Sequence, residues 1–288
     1  MSVSVVIPAK NEAVSIGELV RNLVQAPRIG EVIVVDDGST DNTADVAARQ
    51  GARVISNPYS KGNGAAVKMG ARHAKGEVIV FMDADGQHRF EDVPVLLDEL
   101  DKGYDMVIGA RQRGSQASWG RGIANKLYNQ LATYMTGRKI EDLTSGFRAV
   151  RSAKFREFLY LLPNGFSYPT TSTMAFFRAG YSVAYIPIHS PRRVGKSHLR
   201  PLRDGLRFLL IIFKIGTLYS PLKLFAPVAA LHLALGLAYY AHTFSVDQRL
   251  SLATIFMLSA GVTIFLIGLV SEQITQLMYK TNDPAEKH

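Results

Sequence analysis

Val78-Ile79-Val80-Phe81-Met82 runs without a break into Asp83-Ala84-Asp85-Gly86-Gln87-His88. An apolar run with β-branched Val78, Ile79 and Val80 fits a strand buried on both faces, as in a parallel sheet. Two carboxylates separated by one small residue then leave the strand end. The same construction occurs twice upstream. Val3-Ser4-Val5-Val6-Ile7 meets Pro8-Ala9-Lys10-Asn11-Glu12, and Val32-Ile33-Val34-Val35 meets Asp36-Asp37-Gly38-Ser39. Helical spacing over 13–25 and 41–50 lies between these strands, with Ser39-Thr40-Asp41 offering an N-cap. The order βαβαβ predicts an α/β fold, a Rossmann-like, doubly wound and mostly parallel sheet. Ligands bind such sheets outside the carboxyl ends of the strands, so three polar clusters are expected to converge on one crevice.

Asp83 and Asp85, with Gln87 as a further oxygen donor, suit a hard divalent cation, Mg²⁺ or Mn²⁺, that also bridges a diphosphate. The chain has no cysteine, which excludes a thiol nucleophile, a thiolate metal site and a disulfide scaffold. Asp36 and Asp37 admit two readings: acceptors for a nucleoside base or ribose, or formers of the turn at Gly38-Ser39. Glu12 is likewise a donor-binding group or a charge at a helix N-terminus. Lys61-Gly62-Asn63-Gly64 could approach a phosphate or be a plain loop. No Gly-x-Gly-x-x-Gly follows the first strand and no Gly-Lys-Ser/Thr loop occurs, so dinucleotide and P-loop chemistry are unsupported. His189 and His198, in a Pro/Arg-rich loop, are given no metal role.

Charge divides the chain. It carries 33 Lys/Arg against 24 Asp/Glu, net +9, but residues 1–108 hold 11 against 16 and residues 109–200 hold 15 against 3. Arg113, Arg121, Arg148, Arg193 and Lys196 could together form a basic field for an anionic phosphate; each alone reads more readily as a solvated surface charge. Trp119 to Thr136 has helical spacing and is a helix packed on the sheet or, in what the family resemblance given below implies, an acceptor-side amphipathic helix. Leu222 to Phe244 has Lys223 at its edge as its one charge, and Leu250 to Val270 has none. Each is long enough to cross a hydrocarbon core of roughly 30 Å. Two such runs beside an acidic metal loop make nucleic acid an unexpected partner for the basic field. Arg200, Arg203, Arg207, Lys214 and Lys223 precede the pair and Lys280 and Lys287 come after it, against Arg249 alone between, so both termini are expected on the cytoplasmic side. His232 inside the first span is expected to face the bundle. Pro201 to Ser220 reads as an interfacial amphipathic helix. Val3 to Pro8 is too short for a signal-peptide core, and none is expected.

Val6-Ile7-Pro8-Ala9-Lys10-Asn11-Glu12, Val34-Val35-Asp36-Asp37-Gly38-Ser39-Thr40-Asp41, Lys61-Gly62-Asn63-Gly64, Asp83-Ala84-Asp85-Gly86-Gln87-His88 and Asp142-Leu143-Thr144-Ser145-Gly146-Phe147-Arg148 together resemble the family-2 glycosyltransferases of GT-A fold. Within them the resemblance is to the polyprenyl-phosphate hexosyltransferases, the dolichol-phosphate mannose synthase and bacterial undecaprenyl-phosphate transferase type. It implies a donor pocket of Pro8, Ala9, Glu12, Asp36, Asp37, Lys61, Asp83 and Ala84, with Asp83, Asp85 and Gln87 holding Mg²⁺ or Mn²⁺. It also implies that Asp85, Arg111 and Asp142 serve catalysis and that Arg111 meets the acceptor phosphate. The expected organisation is a GT-A domain over 1–200, an interfacial linker over 201–221, spans over 222–244 and 250–271, and a cytoplasmic tail over 272–288. Partners implied are a UDP- or GDP-sugar, a polyprenyl phosphate, the cytoplasmic membrane and further copies of the chain in a homo-oligomer such as a tetramer.

The expected reaction is a single inverting displacement in which a lipid phosphate oxygen attacks the anomeric carbon. A phosphate monoester with a second pKa near 6 is already largely dianionic at neutral pH. A strong base is therefore not required, and Asp142 is expected to orient arginines. Two alternatives stand beside this: transfer to a glycolipid or polysaccharide, and a non-catalytic membrane scaffold. Trp119 is the sole tryptophan, without the Gln-x-x-Arg-Trp pattern of processive synthases.

Overall fold

The computed structural model describes residues 1–111, 119–165, 167–189, 213 and 216–280, the side chains of 119–125, 247, 279 and 280 apart. The chain forms two compact units, Met1–Leu199 and Arg200–His288.

In the first unit the apolar runs become strands. These are β1 (Val3–Ala9), β2 (Glu31–Asp36), β3 (Arg53–Ser56), β4 (Val78–Phe81), β5 (Met106–Arg111), β6 (Arg148–Arg151) and β7 (Val183–Ile188), in the order β3-β2-β1-β4-β6-β5-β7. All neighbours are parallel except β6, which runs antiparallel to both β4 and β5. The mostly parallel, doubly wound sheet expected from the sequence is thus present. Between β1 and β4 the winding reverses, with Ala9 level with Asp36 and Val6 level with Phe81, which sets the crevice where open α/β sheets bind ligands. Every residue of β1 and β4 is buried, worth about 1.5–3 kcal/mol for each large apolar side chain.

Helices α1 (Ile16–Val24), α2 (Thr43–Arg49), α3 (Asn63–His73), α4 (Asp92–Asp101), α5 (Trp119–Thr136), α6 (Ser152–Arg156) and α7 (Tyr168–Arg178) connect the strands. α1 buries Ile16, Val20 and Leu23, one stripe at helical spacing. None of Ser39, Thr40 and Asp41 takes the N-cap position, which Asn42 fills without a side-chain cap bond. Helix α2 begins at Thr43, and Asp41 accepts from Thr43 N at 3.0 Å and from Ala13 N at 3.3 Å.

The second unit contains α8 (Pro221–Asp247) and α9 (Leu252–Lys280), packed as a hairpin around left-handed Gln248. Their apolar windows have mean hydropathy 1.6 and 2.3 with 11% and 17% of residues buried. Helices this apolar and this exposed suit a bilayer rather than a soluble core. Small residues allow close packing: a Cβ on Gly261 would sit 2.8 Å from Leu233 and one on Gly268 2.8 Å from Phe225. Glu272 accepts from Leu222 N at 3.2 Å, closing the open end of the hairpin. Both helices run past the expected spans. Most of the expected interfacial helix, 201–212, 214 and 215, lies outside the described residues, as does the tail beyond 280.

Candidate active site

Three loops meet at the carboxyl ends of β1, β2 and β4. Asn11, left-handed at φ 56°, donates its N–H to Ser39 Oγ at 2.9 Å and accepts Thr40 N–H at 2.8 Å, tying the first loop to the second. Ser15 ties the first to the third: its hydroxyl donates to Ala84 O at 2.7 Å and stands 3.1 Å from Glu12 Oε2. Pro8 and Ala9 form the floor, level with Val35 and Asp36. The clusters singled out in the sequence are therefore brought together.

Asp36 and Asp37 differ in a way their adjacency conceals. Asp36 Oδ1 accepts one backbone bond, from Ser39 N at 3.0 Å. Asp37 accepts four: Asn57 Nδ2 at 2.9 Å and Lys61 N at 2.8 Å on Oδ1, Ser60 Oγ at 2.7 Å and Gly62 N at 2.8 Å on Oδ2. Burial acts to raise its pKa, and these donors outweigh burial and hold it below the ordinary value. The structure therefore corrects the donor-contact reading of Asp37: its lone pairs are spent on holding the 57–62 loop. The main chain that follows Lys61 is committed to the fold. The Gly64 and Ala65 N–H groups donate to Gly165 O at 3.2 Å and Asn164 O at 3.1 Å, so these donors at the start of α3 are not turned to a phosphate. A Cβ on Gly64 would lie 2.1 Å from Pro163 O, so the glycine is needed for this contact.

Asp83 and Asp85 sit just beyond the carboxyl end of β4. The Asp83 side chain is 34% exposed, and its carboxylate lies against Gly146, where an added Cβ would come 3.1 Å from Oδ2. Desolvation pushes Asp83 above the ordinary carboxylate range, and the Asp85 charge adds to the shift. Asp85 Oδ1 accepts Gln87 N at 3.1 Å, curling the loop. This donor set fits a hard divalent ion: oxygen atoms only, with crowded negative charge that a cation would relieve. No group of three His, Cys, Asp or Glu able to hold a metal exists among the described residues. An ion held by this loop would therefore keep positions open for diphosphate and water.

On the other side of β4, β6 and β5 bring in the acceptor candidates. Arg111 Nε meets Asp142 Oδ2 at 2.8 Å and Nη2 meets Oδ1 at 2.9 Å, a two-pronged pair, with Thr144 Oγ1 at 2.5 Å from Nη2. Burial alone would lower the Arg111 pKa and raise that of Asp142, but the pair reverses both, raising the arginine and lowering the aspartate. Asp142 is an ionised brace for Arg111, poorly suited to accept a proton.

Arg148 is the clear correction among the basic residues. It is 0% exposed. Its Nη1 donates to Pro169 O at 3.0 Å, Ser172 Oγ at 2.7 Å and Thr173 Oγ1 at 3.1 Å, and its Nη2 donates to Ser145 O. A group so enclosed cannot contact an acceptor; it fastens β6 to α7. Arg113, Arg193, Lys196, His198 and the side chain of Arg121 lie outside the described residues.

Sequence reasoning missed His88. Nδ1 accepts Asp83 N–H at 2.9 Å, so the ring proton resides on Nε2, which faces Asp83 Oδ2 at 3.9 Å. The ring stacks on Phe147 with centroids 5.0 Å apart and planes 22° apart. Burial pushes its pKa below the ordinary value despite the charges of Asp83 and Asp85. The residue closes the motif that begins at Asp83, but no spacing rule distinguishes a buried histidine from a ligand.

A mixed sheet with a carboxylate loop at the switch point and a braced arginine beside it defines a GT-A glycosyltransferase. The chain belongs to glycosyl transferase family 2, whose pattern matches residues 4–159. A second pattern, the GtrB C-terminal hairpin, matches residues 220–277. The undecaprenyl-phosphate 4-deoxy-4-formamido-L-arabinose transferase of Edwardsiella ictaluri is 32% identical over 249 residues, 82% of this chain and 74% of that protein. Glycosyltransferase AglJ of Haloferax volcanii is 29% identical over 290 residues, 96% of this chain and 94% of that protein. Among solved structures, glucosyl-3-phosphoglycerate synthase from Mycobacterium tuberculosis, in complex with Mn²⁺ and UDP-glucose, shares the fold at TM-score 0.60 and 24% identity, over 75% of this chain and 78% of that one.

Proposed function

We propose that this membrane glycosyltransferase moves a hexose from a UDP- or GDP-sugar to a polyprenyl phosphate, with inversion, at the cytoplasmic face. The observation that carries the reading is the presence in one chain of the Asp83/Asp85 loop and a hairpin of the GtrB type. The Edwardsiella ictaluri relative, named for undecaprenyl phosphate, supports the acceptor class. The Mycobacterium tuberculosis structure with Mn²⁺ and UDP-glucose supports the donor class and the ion.

Asp83, Asp85 and Gln87 would hold Mg²⁺ or Mn²⁺, and Asp36 and Glu12 the nucleoside side of the donor. When bound, the cation supplies charge neutralisation to the departing nucleoside diphosphate. Arg111 binds and orients the acceptor phosphate: its Nη1 edge makes no bond among the described residues, while Asp142 and Thr144 hold the other edge. An acceptor already dianionic at neutral pH needs no proton removed, so catalysis is positioning and charge stabilisation. The hairpin tethers the enzyme where a lipid phosphate resides, with its 248–251 turn on the far side.

The test is transfer of radiolabelled sugar from UDP- and GDP-sugars to undecaprenyl phosphate by the purified protein, with and without chelator. Chelator-sensitive label in the organic phase is expected. Donor hydrolysis without lipid product across the panel would overturn the acceptor and favour a glycolipid or polysaccharide.

A further inference from the structure

His88 is a buried histidine for which the transfer chemistry has no use. Its Nδ1 is taken by a backbone N–H, so that atom adds no ligand to the Asp83/Asp85/Gln87 set. Its contacts nevertheless all concern that set. β4 ends at Phe81, and Met82 N still reaches Val6 O at 3.3 Å. Asp83 is thus the first residue whose N–H has left the ladder. An N–H turned inward there needs an acceptor, and Nδ1 of His88 supplies it at 2.9 Å. The bond closes the 83–88 loop on itself, with Asp85 taking Gln87 N inside it.

The other faces of the ring are equally committed. One lies flat on Phe147, between Gly146, against which Asp83 rests, and Arg148, which anchors β6. The Nε2–H edge faces Asp83 Oδ2 at 3.9 Å, outside hydrogen-bond range but favourable to a carboxylate. A phenyl ring could stack as well; it could not take the Asp83 N–H. The chemistry of histidine is therefore used at Nδ1.

We infer that His88 is a positioning residue, which presets Asp83 and Asp85 for a divalent cation by accepting the Asp83 backbone N–H and bracing the loop on Phe147. The inference rests on the metal reading proposed above. Groups that orient metal ligands are worth roughly 10–100-fold in metal affinity.

Three variants of the full-length protein separate positioning from packing. In H88F the stack survives and the acceptor is lost. In H88N an amide oxygen returns close to the place of Nδ1. In H88Q the oxygen is displaced toward the place of Nε2. Mn²⁺ binding is read by electron paramagnetic resonance with UDP or GDP present and no acceptor, so turnover is not involved, and Tm is recorded alongside. The expected result is a roughly 10–100-fold weaker Mn²⁺ Kd for H88F and H88Q, with H88N restored to within about threefold of wild type; the unpaired Asp83 N–H lowers Tm in H88F and H88Q alike, and all three variants remain folded at the temperature of the binding measurement. H88F binding Mn²⁺ like wild type, or H88N as weak as H88F, would overturn the positioning role and leave the metal reading standing. A wild-type protein that binds no Mn²⁺ with either nucleotide would overturn the metal reading and this inference with it.

Discussion

Single carboxylates do different work according to the donors around them. Replacing Asp83 or Asp85 by Asn should lower transfer by orders of magnitude if, as proposed, each is a charged ligand of the cation; a Mg²⁺ titration of initial rates will show whether the loss is metal-dependent. Asp142→Asn should act otherwise. With Arg111 no longer held by two charged bonds, the acceptor KM should rise by roughly tenfold, the worth of one weakened charged hydrogen bond, while the pH dependence of kcat keeps its shape. A lost acid limb would make Asp142 the base. Asp37→Asn should be a stability mutation: an amide offers one acceptor oxygen where four donors point, costing about 2 kcal/mol and roughly 4–8 °C in Tm. Because the folded pKa of Asp37 is depressed, its stabilisation is complete above the unfolded carboxylate value of about 4. It is lost as pH falls through the folded value. Acidification below about pH 4 should therefore narrow the Tm gap between wild type and D37N. The sequence placed both aspartates at a strand end but could not tell them apart, because the difference lies in Asn57, Ser60, Lys61 and Gly62, brought in by the fold. Arg148 was misread for the same reason: its acceptors come from α7.

At the scale of elements, legibility followed burial. β1, β2 and β4 were readable as unbroken β-branched runs, and α5 as a periodic one. β3 is a short edge strand, and β6 is four residues with an arginine at each end; neither has the apolar signature of a buried parallel strand. The antiparallel entry of β6 was invisible because pairing direction is a tertiary choice. It is also what sets Gly146 against Asp83. Gly146→Ala would force Cβ to 3.1 Å from Asp83 Oδ2 and from the Tyr168 hydroxyl. We expect a several-fold loss of Mn²⁺ affinity with a small change in Tm, measured as for the His88 variants; unchanged affinity would show that the carboxylate can yield. Gly64→Ala, 2.1 Å from a backbone oxygen that has no flexible end, should instead lower Tm by several degrees.

For the whole molecule, composition offers a direct test of how the hairpin crosses. With no native cysteine, Ser251→Cys and Lys287→Cys would each report alone. An impermeant maleimide applied to intact cells should label the first and spare the second until the membrane is opened; the reverse pattern would place the catalytic unit outside. Both spans were legible because charge-free runs of this length have few other uses. Most of the expected linker, three of the basic acceptor candidates and the side chain of a fourth fall outside what is described, and the topology of the sheet was the part that the chain could not announce locally.

That topology has a consequence for the chain as it is made. One edge of β4 pairs with β1 as soon as both exist, but the other is filled by residues 148–151. At about 5–20 residues per second, that edge waits roughly 3–13 s on the ribosome with an apolar strand unpaired, a template for association with other chains. A message cut short between codons 82 and 147 would thus yield no small donor-binding domain. It would yield a client for chaperones, carrying the Asp83–His88 loop on an open edge.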